Sequence, residues 1–146
     1  MPREFVMRGQ TASAGEEVLN FSGYKPGYAY RLVEFQIYPS TNVATTEFEG
    51  AGAITAAKTA EDPINPNFEN EGLIGTAACL VSASSINPAT SLAVVNDKFL
   101  VTQNLILSVR DTSGNPINWQ CRFVAEKMTG PEEAVANYKQ FTISDG

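Results

Sequence analysis

Histidine is absent from all 146 residues. Its absence removes the commonest general base, the commonest metal ligand and every Ser-His or Cys-His nucleophile arrangement. There is no Gly-x-Ser-x-Gly elbow, no phosphate loop ending in Gly-Lys-Ser or Gly-Lys-Thr, and no Cys-x-x-Cys pair, so acyl transfer, nucleotide phosphate binding and paired-thiol chemistry lack their usual residues. Carboxylate pairs remain arithmetically open among Glu16, Glu34, Glu61, Asp97 and Asp111, as they do in any chain with 16 acidic residues. The chain reads as non-enzymatic, with no cofactor and no metal.

Charge is also scarce. Charged residues make up 18% of the chain, against about 25% in ordinary globular proteins. The ten Lys and Arg residues are scattered singly in a chain of net charge −6, which offers no electrostatic footprint for nucleic acid or an anionic membrane. A weakly charged polar surface points instead to faces covered by neighbours. No run of about 18 apolar residues occurs, and Met1 to Arg8 lacks the apolar centre of a signal peptide; the expectation is a soluble chain made in a cytoplasm. Only two cysteines are present, Cys79 and Cys121. Each sits in an apolar strand-like run and reads as a buried thiol; a disulfide would need their Cα atoms within about 7 Å.

What the chain does have is strand chemistry separated by turns, which predicts an all-β antiparallel β-sandwich, jelly-roll or immunoglobulin-like, of eight or nine strands. One domain spans 1–146, long enough to bury about 70% of its unfolded surface, with an N-terminal arm over 1–15. Strand-like runs follow at 3–8, 17–21, 28–38, 48–58, 73–83, 92–95, 99–109 and 117–127. In 28–38, Val33, Phe35 and Ile37 share one parity and Tyr28, Tyr30 and Leu32 the other, so a bend or bulge is expected near Leu32, with a possible change of sheet. Run 48–58 is rich in Ala and Gly and reads as a small-residue strand closely overlain by another backbone. Run 73–83 is apolar enough to be buried on both faces.

The strongest local signal lies at 99–127, where two runs meet across Asp111-Thr-Ser-Gly-Asn-Pro116. This predicts a β-hairpin whose second arm buries Ile117, Trp119, Cys121, Phe123 and Ala125 on one face. Gly130-Pro131-Glu132-Glu133 starts one short C-terminal helix, with proline at the first helical position and two carboxylates against the positive end of its dipole. A last strand is expected at Phe141 and Ile143. The acidic loop at 61–72 lacks the alternating oxygen ladder and central glycine of a calcium loop, and two prolines stiffen it; it reads as a solvated connection.

Candidate partner contacts are Arg3, Phe5, Val6, Met7 and Arg8 in the N-terminal arm, together with Tyr24 and Tyr28. In the arm, two cations flank an apolar tripeptide, and tyrosines are enriched at interfaces. A terminal strand of the protein's own sheet competes with a docking arm for the same residues. If the arm docks, deletion of residues 1–8 is expected to leave a folded body that no longer assembles. Tyr24, Tyr28, Tyr30, Tyr38 and Trp119 also admit a sugar-stacking face, although the parity of Trp119 favours core packing.

Residues 95–107 (Val-Asn-Asp-Lys-Phe-Leu-Val-Thr-Gln-Asn-Leu-Ile-Leu) and 118–127 (Asn-Trp-Gln-Cys-Arg-Phe-Val-Ala-Glu-Lys), with the Gly-Pro-Glu-Glu segment behind them, carry a resemblance. The chain resembles small β-sandwich, jelly-roll-like structural proteins of phage and virus particles. That resemblance implies a capsid subunit or capsid decoration protein located in the virion, with copies of itself or another virion shell protein as partners. The alternative is a carbohydrate-binding or adhesin module on the same scaffold.

Overall fold

The computed structural model describes residues 3–21, 28–40, 48–81 and 89–128, with positions 131, 135, 136 and 138. These hold eight strands: β1 (Arg3–Thr11), β2 (Glu16–Leu19), β3 (Tyr28–Pro39), β4 (Phe48–Thr55), β5 (Leu73–Val81), β6 (Ala89–Val95), β7 (Leu105–Asp111) and β8 (Ile117–Lys127). They form an all-β antiparallel sandwich. One sheet has the order β1-β8-β3 and the other β2-β7-β4-β5-β6. The first strand pairs with the eighth, the second with the seventh and the fourth with the fifth. That nesting follows the jelly-roll plan in three of its four pairs; the remaining one, β3 with β6, is not formed among the described residues. β6 stays on β5, and β3 packs across from β5 and less extensively from β6.

β8 is the spine of the smaller sheet. Ile117, Trp119, Cys121, Phe123 and Ala125 are all buried, as the period-2 pattern predicts. Inside the sandwich Phe5, Phe21, Tyr30 and Phe123 form an aromatic cluster. Phe5 stacks on Phe123 with centroids 5.6 Å apart, Phe21 meets Phe123 edge-on at 5.0 Å, and Tyr30 lies 5.1 Å from Phe21. Contacts of this kind add about 0.5–1.5 kcal/mol each beyond area burial. The Trp119 indole N–H is satisfied by donating to Thr11 Oγ1 at 2.9 Å.

The bulge expected in β3 is present. Its register against β8 shifts between Leu32 and Glu34, and the extra residue lets Tyr30 and Leu32 before it and Phe35 and Ile37 after it all enter the core. The strand does not change sheet. β4 is the small-residue strand, and both of its faces are closely covered. A Cβ on Gly52 would lie 2.9 Å from Phe35 Cζ. On the opposite face Ala51, Ala53 and Thr55 are buried where the loop 56–72 returns, with the Ser108 hydroxyl donating to the Glu61 carbonyl at 2.6 Å and Thr55 Oγ1 donating to the Gly72 carbonyl at 3.1 Å.

Four expectations need correction. Residues 99–127 are not a hairpin, because β7 and β8 belong to different sheets and 112–116 is a corner between them. The strand expected at 99–109 begins only at Leu105; ahead of it Val101 exchanges backbone hydrogen bonds with Tyr30 at 2.8 and 3.0 Å. β5 is not buried throughout, since Ala78 and Leu80 face solvent. Finally, 3–11 is not a free arm but an edge strand of the protein's own sheet, paired with β8 from Arg3↔Ala125 to Thr11↔Ile117. Deleting residues 1–8 would remove Phe5 from the aromatic cluster and so unsettle the fold itself. The expected C-terminal helix falls mostly outside the described residues, although positions 131, 135, 136 and 138 have helical backbone. The expected last strand and Tyr24 also lie outside them.

Two of the crossings between sheets, at 12–15 and 112–116, are fastened together. Ser13 Oγ accepts from the Asp111 N–H and donates to the Asp111 carbonyl, both at 2.9 Å, and the Val109 N–H donates to Gly15 O at 3.1 Å. The buried Asp111 carboxylate accepts from the Glu49 N–H at 3.0 Å and the Asn115 N–H at 2.9 Å. Gly114 supplies the left-handed backbone (φ 84°) that the corner requires. Asp111→Ala is expected to lower unfolding stability by about 2–3 kcal/mol, because it strands two backbone donors. Urea denaturation measures this, and a loss under about 0.5 kcal/mol would contradict the fastening role.

Candidate interaction surface

The outer face of the smaller sheet is a polar ladder fixed by strand register. Val6, Arg122 and Glu34 align in one row, Arg8, Gln120 and Gln36 in the next, and Gln10, Asn118 and Tyr38 in the third. Arg122 reaches Glu4 at 3.1 Å and Glu34 at 3.3 Å, linking all three strands. Arg31 pairs with Glu126 at 2.8 Å and donates to the carbonyls of Asp97 and Lys98, both at 3.1 Å. Solvent-facing pairs of this kind contribute about 0–1 kcal/mol each. Gln10 Nε2 donates to Asn118 Oδ1 at 3.0 Å, and Asn118 Nδ2 to the Pro39 carbonyl at 3.2 Å. Arg8, Gln36, Tyr38, Asn118 and Gln120, with Ile37, Trp119 and Ser91 of β6 from the other sheet, line a depression of about 380 Å³.

The outer face of the larger sheet divides into two zones. Over β4 and β7 the loop 56–72 covers small residues, and two of its acidic groups, Glu61 and Asp62, brace it. Glu61 accepts from the Asn67 N–H at 3.0 Å and from Asn70 Nδ2 at 2.8 Å. Asp62 accepts from the Ile64 N–H at 3.0 Å and from Asn65 Nδ2 at 3.3 Å. The backbone bond from Ile64, then that from the Asn65 side chain, holds the Asp62 carboxyl below its usual value. Its bracing is therefore present above the ordinary Asp range and lost as pH falls through the depressed value. Among the described residues no group of three or more His, Cys, Asp or Glu is placed to hold a metal ion.

Over β5 and β6 the same face is apolar and, among the described residues, exposed. Phe68 and Leu92 are each 66% exposed, Val94 55% and Leu80 45%. Register places Leu92 beside Ala78 and Val94 beside Thr76. Ser91 and Ala93, which point to the other face of β6, are exposed as well. A second depression, of about 200 Å³, opens where Phe68 meets Thr76, Val94 and Asn96.

The residues singled out from sequence are dispersed. Phe5 and Met7 pack against the core, while Val6 and Arg8 face outward; Arg3 is fixed at the end of β1. Tyr28 is half-buried against the core and Tyr30 is fully inside. Tyr38 is 56% exposed and borders the amide-lined depression. The apolar zone on β5 and β6 was missed because Leu80, Leu92 and Val94 are ordinary core residues in a strand pattern; only the sheet order shows that nothing described covers them. Sequence comparison adds nothing to this geometry: no protein-family model matches the chain, and no curated protein matches it.

Cys79 and Cys121 are free and buried. Burial pushes the Cys121 thiol up to about 12 and raises Cys79 as well. A thiol raised in the folded state leaves stability intact below its unfolded value and removes it as pH climbs toward the folded one. Stability is expected to fall from about pH 9 toward pH 12, and Cys121→Ala should flatten that slope. Neither thiol should react with iodoacetamide at neutral pH until denaturant is added; rapid native alkylation of Cys121 would contradict its burial.

Proposed function

We propose that this chain is a non-enzymatic structural protein of a phage or virus particle, a capsid subunit or a capsid decoration protein. It acts by packing against copies of itself or another shell protein within the virion, after synthesis in the host cytoplasm. The observation that carries this reading is the uncharged apolar zone of Phe68, Leu80, Leu92 and Val94. Contiguous exposed apolar surface on an otherwise polar protein marks a contact site. The sandwich, which shares three of the four jelly-roll pairs, supports the setting by analogy, since capsid proteins use that winding, although fold alone does not assign function. Replacing Leu92 and Val94 together by Glu is expected to leave the fold intact, because both side chains already face solvent, and to abolish assembly. Light scattering and native mass measurements test this; normal assembly by the folded double variant would sink the reading.

The amide-lined depression favours a second reading, carbohydrate binding, because lectins share the winding. Planar amides with an exposed ring can meet sugar hydroxyls and a sugar face. On that reading Tyr38→Ala and Gln120→Ala lose binding on a glycan array by at least tenfold. A wild-type chain that binds no glycan rejects it.

A further inference from the structure

We infer that β6 is a self-pairing edge, through which two copies of this chain join antiparallel and continue the larger sheet across a two-fold axis at Leu92. The inference rests on the assembly reading and specifies its contact. Among the described residues β6 pairs only with β5, and none of them pairs with the other side of its backbone. The Asn96 N–H donates to the Ile74 carbonyl at 2.8 Å, and the β5–β6 register runs without a shift from Gly75↔Val95 to Val81↔Ala89. In an antiparallel ladder the N–H and C=O of one residue point to the same side, and those of the next residue to the other. The even-numbered positions of β6 therefore bond to β5, and Ala89, Ser91, Ala93 and Val95 present their backbone groups outward.

The choice of a second copy follows from charge. Natural sheets guard free edges with charged side chains, and the other described edges carry them: Arg3, Glu4 and Arg8 on β1, Glu16 and Glu17 on β2, Arg31 and Glu34 on β3. β6, Ala-Thr-Ser-Leu-Ala-Val-Val, has none. Two copies of a chain with net charge −6 repel through most of their surface, and an uncharged edge is where like can meet like. A two-fold pairing must set outward-facing residues opposite one another. Full overlap of the strand does so when residue 92 faces its own copy: Ser91 then opposes Ala93 of the second copy, Ala89 opposes Val95, and about eight backbone hydrogen bonds close, two per bonded pair. The outer face becomes a continuous apolar row, Ala78 and Leu92 of one copy followed by Leu92 and Ala78 of the other. Val94 of each copy falls at the register position opposite residue 90 of its mate, which pairs with Leu80.

This register makes a positional prediction. The two Leu92 residues form a non-hydrogen-bonded pair, with Cα atoms about 4.5 Å apart, inside the disulfide range of about 4.4–6.8 Å. The two Val94 residues stand four positions out of step, about 13 Å apart. Under mild oxidation Leu92→Cys is expected to give a disulfide-linked dimer in high yield, and Val94→Cys at least tenfold less; buried Cys79 and Cys121 do not compete. Ala93→Pro removes one outward N–H and no bond to β5, and it should be monomeric, with an unchanged circular dichroism spectrum, at concentrations where light scattering finds the wild type dimeric. Equal cross-linking at both positions, or a wild type that is monomeric at every concentration, overturns the pairing. A monomer that still adds to particles overturns the pairing alone. A chain that cross-links through Leu92→Cys but adds to no particle supports the pairing and overturns the virion setting alone.

Discussion

The architecture depends on one buried aspartate. A chain that weaves between two sheets must turn corners at the rim of the core, and each corner leaves backbone donors and acceptors that no ladder can satisfy. Asp111 stands where β7 leaves the larger sheet. Its carboxylate takes the Glu49 and Asn115 N–H groups, while its own backbone is held by Ser13 from the other crossing. Two corners nearly a hundred residues apart thus satisfy each other. From there the chain enters β8, which lies between β1 and β3 with its apolar parity turned inward.

The small-residue strand β4 makes the opposite kind of contribution. Because Gly52 yields space to Phe35 on one face and Ala51 and Ala53 yield it to the loop 56–72 on the other, the middle of the larger sheet is three layers deep. The acidic loop, which by composition invites a cation, has turned the carboxylates of Glu61 and Asp62 onto its own N–H groups and asparagines. The polar ladder of the smaller sheet is cross-linked by Arg122. Against these self-satisfied surfaces the exposed side chains of β6 stand out.

How much of this was legible in the sequence depended on the range of the forces involved. Period-2 alternation located β8 and its buried set, including Trp119, and the parity conflict around Leu32 located the bulge, because both record which way neighbouring side chains point. Gly50 and Gly52 among alanines announced a closely covered strand. The corner at 112–116 was misread as a hairpin because Asp111 and Gly114 suit either turn; the difference lies in Ser13 and Glu49, remote in sequence. The same holds for the arm, since Phe5, Val6 and Met7 offer no local sign that β8 will take them up. Nor does Leu92 carry any mark of sitting on an outer strand. Edge and face are properties of sheet order, and sheet order is set by contacts that local pattern does not record.

The pairing of β1 with β8 has a kinetic side. Met7 and Cys121, joined in that ladder, are 114 residues apart, and β3 too must wait for β8 before it has a neighbour in its sheet. Topologies dominated by such distant pairings form slowly, because loop closure has to precede the contacts that reward it. The larger sheet, by contrast, contains β4, β5 and β6, each next to its neighbour in the chain. During synthesis the apolar strip on β5 and β6 would therefore be laid down before the smaller sheet can close over the aromatic cluster, and the order in which this protein becomes sticky and becomes finished is written into its winding.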